Sequence, residues 1–248
     1  MRLQGKTAIV TGGASGFGAG IVKKFVSEGA NVMIADVNNT DATTMASTLG
    51  DNVRSMLSDV SNNDDVKALC EATVAVFGHI DIIVNNAGVT HLPKPMETVS
   101  DEDFDKILAV NTRSVFLFAR HALPGMKAQG SGCFLNVAST GGVSPRPNLT
   151  WYNASKGWMI TATRGMAVEL APFGIRVNAI NPVAGETPLL KSFMGEDTPE
   201  IRAKFLSTIP IGRFSTPEDM GNAACYLCSD EASMVTGVCM EVDGGRCI

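Results

Sequence analysis

The chain has 248 residues, of which 45% are hydrophobic and 18% charged, a balance that excludes an intrinsically disordered or fibrous protein. The formal net charge is -5 and no local cluster of Lys and Arg occurs, so we expect neither nucleic acid nor a membrane surface as a partner. Because no apolar stretch is long enough to span a bilayer and no signal-peptide pattern is present, a cytoplasmic protein is expected.

Apolar runs of strand length alternate with helix-length periodic segments along the whole chain, which predicts βαβ units and a parallel sheet. The predicted strands are 7–11, 31–36, 53–58, 80–85, 133–137, 175–180 and 238–242. Two of the helices predicted between them are long, one from Asp101 to about Met126 and one from Tyr152 to Ala171. Since no repeat or linker interrupts the alternation, we predict one Rossmann-type, doubly wound α/β domain over residues 1–248, with about seven parallel strands and helices on both faces.

The first predicted strand runs into a glycine-rich segment, Thr11 to Gly18, which opens a helix. Glycine permits the positive φ angles of a tight turn and lets backbone amides approach a phosphate closely. A helix N-terminus directly after such a turn favours binding of a pyrophosphate. The spacing is GxxxGxG rather than the GxGxxG of the usual dinucleotide fingerprint, so this segment indicates a nucleotide site only together with other motifs.

The second predicted strand ends at Asp36. A carboxylate at this position can accept hydrogen bonds from the adenosine ribose hydroxyls. It also repels a 2′-phosphate, and the nearby Gly13, Ser15 and Val37 offer no cation that would bind one. We therefore predict NAD rather than NADP as the cofactor.

Tyr152 and Lys156 are four residues apart on a predicted helix, a spacing that places the phenol and the ammonium on the same face. A cation beside a tyrosine favours the phenolate and lowers the pKa of the phenol from its ordinary value of about 10. The pair is therefore a candidate acid/base for proton exchange with an alcohol.

Residues 182–215 form the only long stretch without a clear pattern, and long loops in compact domains are usually functional. We predict a substrate lid within this stretch. The next helix is expected to begin at Thr216 and Pro217 and to run to about Cys228. It contains a CxxC pair, Cys225 and Cys228, but the second ligand pair that zinc requires is missing, so no metal site is predicted.

Several motifs that are weak in isolation occur here in one order and spacing. They are Thr11 to Gly18, Asn85-Asn86-Ala87-Gly88, Asn111, Ser139, Tyr152 and Lys156. Together they resemble the short-chain dehydrogenase/reductase family, and within it the 3-oxoacyl reductase-like and glucose dehydrogenase-like members. The resemblance extends over nearly the whole chain.

The resemblance implies a role for each catalytic residue. In the family a hydride passes between the nicotinamide C4 and the carbinol carbon while the tyrosine, here Tyr152, exchanges the hydroxyl proton. Lys156 would bind the nicotinamide ribose and lower the pKa of the tyrosine. Ser139 would hold the substrate oxygen, and Asn111 would anchor a water that relays protons from Lys156.

The resemblance also implies a set of contacts with NAD. Asp59 and Val60 would contact the adenine, and Thr187 would bind the carboxamide. The implied cofactor-binding residues are Gly12, Ser15, Gly16, Phe17, Gly18, Asp36, Asp59, Val60, Asn86, Ala87, Gly88, Tyr152, Lys156, Pro182, Val183 and Thr187. The family usually has glycine at the position of Val183, whose branched side chain is expected to narrow the nicotinamide pocket or restrict its backbone.

The implied function is the NAD(H)-dependent interconversion of a secondary alcohol and its ketone. Two alternatives stay open, a reductase of 3-oxoacyl thioesters and a non-catalytic NAD-binding scaffold. Asp36 counts against the first, because biosynthetic reductases of that kind more often take NADPH. The second is disfavoured because the full catalytic set is intact: Asn111, Ser139, Tyr152 and Lys156.

A homotetramer is expected, because members of the family pair the counterparts of the two long helices across subunits. The sequence adds a reason of its own. Phe116, Leu117 and Phe118 are consecutive and cannot all face one core at helical spacing, so one apolar side needs covering.

Fewer residues of the sequence indicate where the substrate binds. Arg146, between two prolines, is a candidate for holding a substrate carboxylate or phosphate, with a solvated loop residue as the alternative. Four residues are expected to form an apolar pocket wall: Val143, Trp151, Phe193 and Met194.

Overall fold

The computed structural model describes residues 1–248 and arranges them around one seven-stranded sheet of order β3-β2-β1-β4-β5-β6-β7. Every neighbouring pair of strands is parallel. The strands are β1 Thr7–Thr11, β2 Asn31–Asp36, β3 Val53–Leu57, β4 Ile82–Asn85, β5 Gly132–Val137, β6 Ile175–Pro182 and β7 Cys239–Val242. All seven predicted strands are present, and the predicted doubly wound parallel sheet is confirmed.

Nine α-helices connect or flank these strands. They are α1 Gly16–Ser27, α2 Asn39–Leu49, α3 Asn63–Phe77, α4 Asp101–Leu108, α5 Ser114–Gln129, α6 Thr150–Leu170, α7 Leu190–Met194, α8 Pro199–Leu206 and α9 Pro217–Cys228. None of them is both long and apolar enough to cross a membrane.

The two largest apolar clusters of the core lie one on each face of the sheet. Side chains alternate along a strand, so Val10 and Val84 join the cluster under α1, α2 and α9. Ile9 and Ile83 join the cluster under α3, α5 and α6. Burial on both faces explains why the central strands are continuous apolar runs.

The helix predicted from Asp101 to about Met126 is interrupted. It consists of α4, a π-helical turn at Ala109–Arg113 and α5. Such a turn inserts an extra residue per turn and occurs often at functional sites. Sequence periodicity did not reveal it, because both flanking segments keep a helical pattern.

The prediction that residues 182–215 are irregular is wrong, because α7 and α8 lie within them. The start of α8 carries a recognisable signal. The Thr198 side chain accepts a hydrogen bond from the Ile201 N–H at 3.3 Å, and Pro199 occupies the first helical position. The same signal at Thr216 and Pro217 was used correctly to predict α9.

Candidate active site

The carboxyl ends of the central strands surround a cavity of about 690 Å³. From β1 the strands β2 and β3 are added towards one edge of the sheet, and β4 to β7 towards the other, so the strand order reverses between β1 and β4. In open α/β sheets a ligand site forms in the crevice at this switch point. The predicted motifs follow these strands, and the fold brings them to one edge of the sheet.

The glycine-rich turn between β1 and α1 forms one end of the cavity. Gly12 and Gly16 have positive φ angles of 59° and 51°, which other residues rarely adopt. A Cβ on Gly18 would lie 2.1 Å from the Gly12 carbonyl oxygen, so any side chain would push α1 away from the turn. The turn therefore leaves the N-terminal amides of α1 open to a pyrophosphate, and these residues fit a dinucleotide.

Asn86, just after β4, holds this turn in place. Its side-chain Nδ2 donates to the backbone oxygens of Thr11 at 2.8 Å and Gly12 at 3.1 Å. In return, the Thr11 hydroxyl oxygen accepts from the backbone N–H groups of Asn86 and Ala87, each at 3.0 Å. The Asn86 side chain thus connects the ends of β1 and β4 across the switch point.

Asp36 stands at the end of β2 and accepts two backbone hydrogen bonds. Oδ2 accepts from the Ala14 N–H at 3.0 Å, and Oδ1 accepts from the Asn38 N–H at 2.9 Å. The carboxylate therefore stabilises the glycine-rich turn through Ala14, in addition to its expected role at the adenosine ribose. The sequence did not indicate this second role. Asp59 and Val60, after β3, line the same cavity.

Tyr152 and Lys156 are both almost completely buried on one face of α6. The Lys156 Nζ donates to the Val137 carbonyl oxygen at 2.8 Å and lies 5.9 Å from the centroid of the Tyr152 ring. Ser139 follows β5, and its Oγ accepts from the Gly141 N–H at 3.0 Å. A Cβ on Gly141 would lie 3.4 Å from the Ser139 Oγ and 3.5 Å from Cε1 of Tyr152, so both side chains border one small space.

Asn111 lies in the π-helical turn and is fully buried. Its Oδ1 accepts from the Val89 N–H at 2.9 Å, while Nδ2 donates to the Val89 carbonyl at 2.9 Å and to the Ser155 hydroxyl at 3.0 Å. A Cβ on Gly88 would lie 3.4 Å from the Lys156 Nζ and 3.5 Å from the Asn111 Oδ1. Asn111 and Lys156 therefore flank Gly88, with Asn111 behind the cavity wall.

The segment of residues 182–215 reaches both ends of the cavity. Its Phe193 contacts Tyr152 edge-on, with the ring centroids 5.0 Å apart. At the other end, a Cβ on Gly16 would lie 3.2 Å from the Cβ of Thr187. The segment thus lies over the glycine-rich turn and over the tyrosine.

A family model described as enoyl-(acyl carrier protein) reductase matches residues 12–246. The 4-formylbenzenesulfonate dehydrogenase TsaC1/TsaC2 of Comamonas testosteroni is 50% identical over 250 residues, 99% of each chain. The chain belongs to the short-chain dehydrogenase/reductase family. The 3-oxoacyl-(acyl-carrier-protein) reductase FabG of Thermotoga maritima is 38% identical over 100% of both chains. A crystal structure of 3-ketoacyl-(acyl-carrier-protein) reductase from Brucella melitensis complexed with NADH has a TM-score of 0.95 at 48% identity, covering 99% of this chain and 100% of that one.

The site residues predicted from the short-chain dehydrogenase/reductase resemblance lie together in the fold. All of them except Gly18 and Asn111 line the cavity, and those two support it from behind. Val183 departs from the family pattern, and its side chain packs into an apolar cluster with Leu190, Ile209 and Phe214. The branched side chain is therefore accommodated within that cluster.

The prediction of the apolar wall is correct only for Phe193 among the four residues named. Val143 is exposed, and Met194 is buried in the apolar cluster that also contains Val183 and Leu190. The Trp151 indole donates to the Met96 carbonyl at 3.1 Å and does not line the cavity. Sequence reasoning missed Phe205, whose place in the wall depends on how α8 folds back.

The pKa of Tyr152 moves in the opposite direction from the one expected for a tyrosine beside a lysine. Burial raises it to about 12, although the hydrogen bond with Ser139 lowers it. Burial also lowers the pKa of Lys156 to about 8. The ammonium donates to the Val137 carbonyl, and desolvation is the largest cause of both shifts.

Proposed function

We propose that this protein interconverts a secondary alcohol and its ketone, using NAD(H), with Tyr152 as the acid/base. The observation that carries the proposal is the shared space bordered by Tyr152 and Ser139 inside the cavity that the glycine-rich turn closes at its other end. The relative from Comamonas testosteroni is likewise named as a dehydrogenase, of an aromatic aldehyde, which supports oxidoreduction at a carbonyl carbon. The Tyr152 substitution described in the Discussion tests the proposal.

Bound NAD(H) would supply the hydride acceptor or donor. The Ser139 hydroxyl hydrogen-bonds the substrate oxygen, and the phenol of Tyr152 gives a proton to that oxygen in reduction or takes one in oxidation. Lys156 donates a hydrogen bond to the Val137 carbonyl. It would also bind the ribose, and its positive charge would stabilise the phenolate of Tyr152. Asn111 keeps the wall behind Gly88 in position through its two bonds to Val89.

The preference for NAD over NADP is part of the proposal. On this proposal the Asp36 carboxylate repels a 2′-phosphate on the adenosine ribose, and Val37 beside it is exposed and uncharged. The structural neighbour from Brucella melitensis is complexed with NADH, which supports the same choice.

A second candidate function is the reduction of a 3-oxoacyl thioester, favoured by the relatives of that name from Thermotoga maritima and Brucella melitensis. A panel of secondary alcohols and 3-hydroxyacyl thioesters, assayed by NADH absorbance, separates the two. Turnover of the thioesters alone would select this second candidate. A protein that binds NADH and turns over none of the panel would be the scaffold.

The reaction is expected to depend on pH through the coupled pair of Tyr152 and Lys156. The pair loses its first proton near the Lys156 pKa of about 8, whichever of the two residues ends up holding the charge. Oxidation needs the deprotonated pair, so its kcat/KM rises with pH through about 8. Reduction needs the protonated pair, so its kcat/KM falls over the same range.

Initial rates from pH 6 to 10 in both directions measure this. The Lys156→Arg variant keeps its charge across that range, so its midpoint is expected to move above that of the wild type. Flat profiles in both directions, with chemistry rate-limiting, would contradict the assignment.

A homotetramer is also proposed, since apolar side chains lie uncovered on the helices that family members pair. On α5, Leu117 and Phe118 are fully buried whereas Phe116 is 48% exposed, and on α6 Trp158 and Val168 are exposed. A second copy would cover these faces. Light scattering at micromolar concentration is expected to give four times the mass of one chain, and a monomeric mass would refute this proposal. The cytoplasmic location stays a prediction.

A further inference from the structure

Arg146 lines the cavity in the segment between β5 and α6. Its backbone oxygen accepts a hydrogen bond from the Asn153 side chain at 2.8 Å. Because Asn153 directly follows Tyr152, this bond holds the arginine segment against the catalytic end of α6. Arg146 is therefore placed beside the reacting end of the cavity.

The Arg146 guanidinium has no acidic partner. Its carbon lies 4.3 Å from the centroid of the Phe205 ring, and Nη2 donates to the Thr208 hydroxyl at 3.2 Å. Three of the other nine arginines, Arg2, Arg202 and Arg213, form ion pairs with carboxylates, whereas Arg146 forms none. A planar guanidinium that is stacked on an aromatic ring and lacks a counter-ion is well suited to bind a carboxylate or sulfonate.

A second arginine without an acidic partner lies behind the first. Arg246 donates from Nη1 to the Ser144 hydroxyl at 3.3 Å, and its buried Nε has no hydrogen-bond partner. Burial and the charge of Arg246 both lower the pKa of Arg146. Two neighbouring cations raise the energy of the folded protein, and a bound anion would relieve this repulsion.

The cofactor does not account for this positive charge. The end of β2, which carries Asp36, is separated from the end of β5 by β1 and β4. Three strand spacings of about 4.8 Å amount to roughly 14 Å. Arg146 follows β5 and so lies on the substrate side, away from the position of a ribose 2′-phosphate.

We propose that Arg146, with the charge of Arg246 behind it, is an anion-binding subsite for the substrate. The substrate class is then a ketone or secondary alcohol with a carboxylate or sulfonate remote from the reacting carbon. The wall between Tyr152 and Arg146 is apolar, with Leu149, Phe193 and Phe205, and fits a flat, aromatic body between the two polar ends. The identity of the reacting end rests on the proposed function.

The test compares ketones that differ only in the remote group: 4-acetylbenzoate, 4-acetylbenzenesulfonate and methyl 4-acetylbenzoate, each reduced with NADH. The wild type is expected to favour at least one anion over the neutral ester by about 10- to 100-fold in kcat/KM, the range of a charge-assisted hydrogen bond. Arg146→Met is expected to lose this preference while leaving the ester's kcat/KM within about threefold. Arg146→Lys should recover part of it.

The matched control is Lys127→Met, which removes a cation lying 4.2 Å from the ring centroid of Phe173, outside the cavity. It is expected to keep the wild-type preference. An unchanged melting temperature for Arg146→Met excludes a folding defect as the reason for its loss of preference. Equal kcat/KM for the anions and the ester in the wild type, or an Arg146→Met effect of the same size on all three, would overturn the proposal.

Calorimetry separates failure of this subsite from failure of the proposed function. Benzoate and benzenesulfonate, titrated into the protein with NADH, are expected to bind at least tenfold more tightly than benzamide, and Arg146→Met should abolish the difference. If no ketone is turned over but this difference is seen, the subsite stands and the proposed reaction fails. If benzamide binds as tightly as both anions, the subsite is refuted whatever the turnover. The ratio of the benzoate and benzenesulfonate affinities shows which anion is preferred.

Discussion

Replacing Tyr152 with Phe is expected to lower kcat by about 10³-fold or more, within the contribution that a positioned general acid or base usually makes. The substitution removes one oxygen from a side chain that is 6% exposed, and the ring keeps its contact with Phe193. The glycine-rich turn and Asp36 are untouched, so NADH affinity, measured by fluorescence titration, should stay within about threefold of the wild type.

The chain offers a matched control, because Tyr226 is its only other tyrosine and lies in α9, away from the cavity. Tyr226→Phe is expected to keep wild-type kcat. If Tyr152→Phe retains a substantial fraction of wild-type kcat on the best substrate found, another group exchanges the proton and the assignment fails.

A change of cofactor preference is the second large effect expected. The double variant Asp36→Ala with Val37→Arg should move the ratio of kcat/KM for NAD to that for NADP by about 10²-fold towards NADP, because a repelling carboxylate is replaced by a cation that can bind the phosphate. Alanine also removes the acceptor for the Ala14 N–H, so part of the loss with NAD will come from a looser glycine-rich turn.

Asp36→Asn separates the two contributions. The amide oxygen can still accept from the Ala14 N–H, although the amide nitrogen cannot accept from the exposed Asn38 N–H. The charge is gone, so discrimination against NADP should weaken while the melting temperature falls by less than in the alanine variant. Asp51→Asn removes an exposed carboxylate before β3 and should change neither. Equal kcat/KM for NAD and NADP in the wild type would contradict the role of Asp36.

The features that were predictable from the sequence depend on residues that lie close together in the chain. The strands were predictable because apolar runs of fixed length and the glycine, proline and threonine signals at their ends are local. The same holds for the positive φ of Gly12 and for the common helix face of Tyr152 and Lys156. These features depend on chain geometry within a few residues, and the sequence by itself determined them.

The tertiary structure decided what depends on distant contacts. The π-helical turn places Asn111 against Val89 and Ser155, and neither contact follows from the helical pattern around it. Burial raises the pKa of Tyr152, whereas the lysine four residues away predicted a lower one, because desolvation depends on everything that packs around the phenol. The sequence left Arg146 open between an anion site and a solvated loop residue, and only the fold favours the anion site, because α8 brings Phe205 against a guanidinium that has no ion-pair partner.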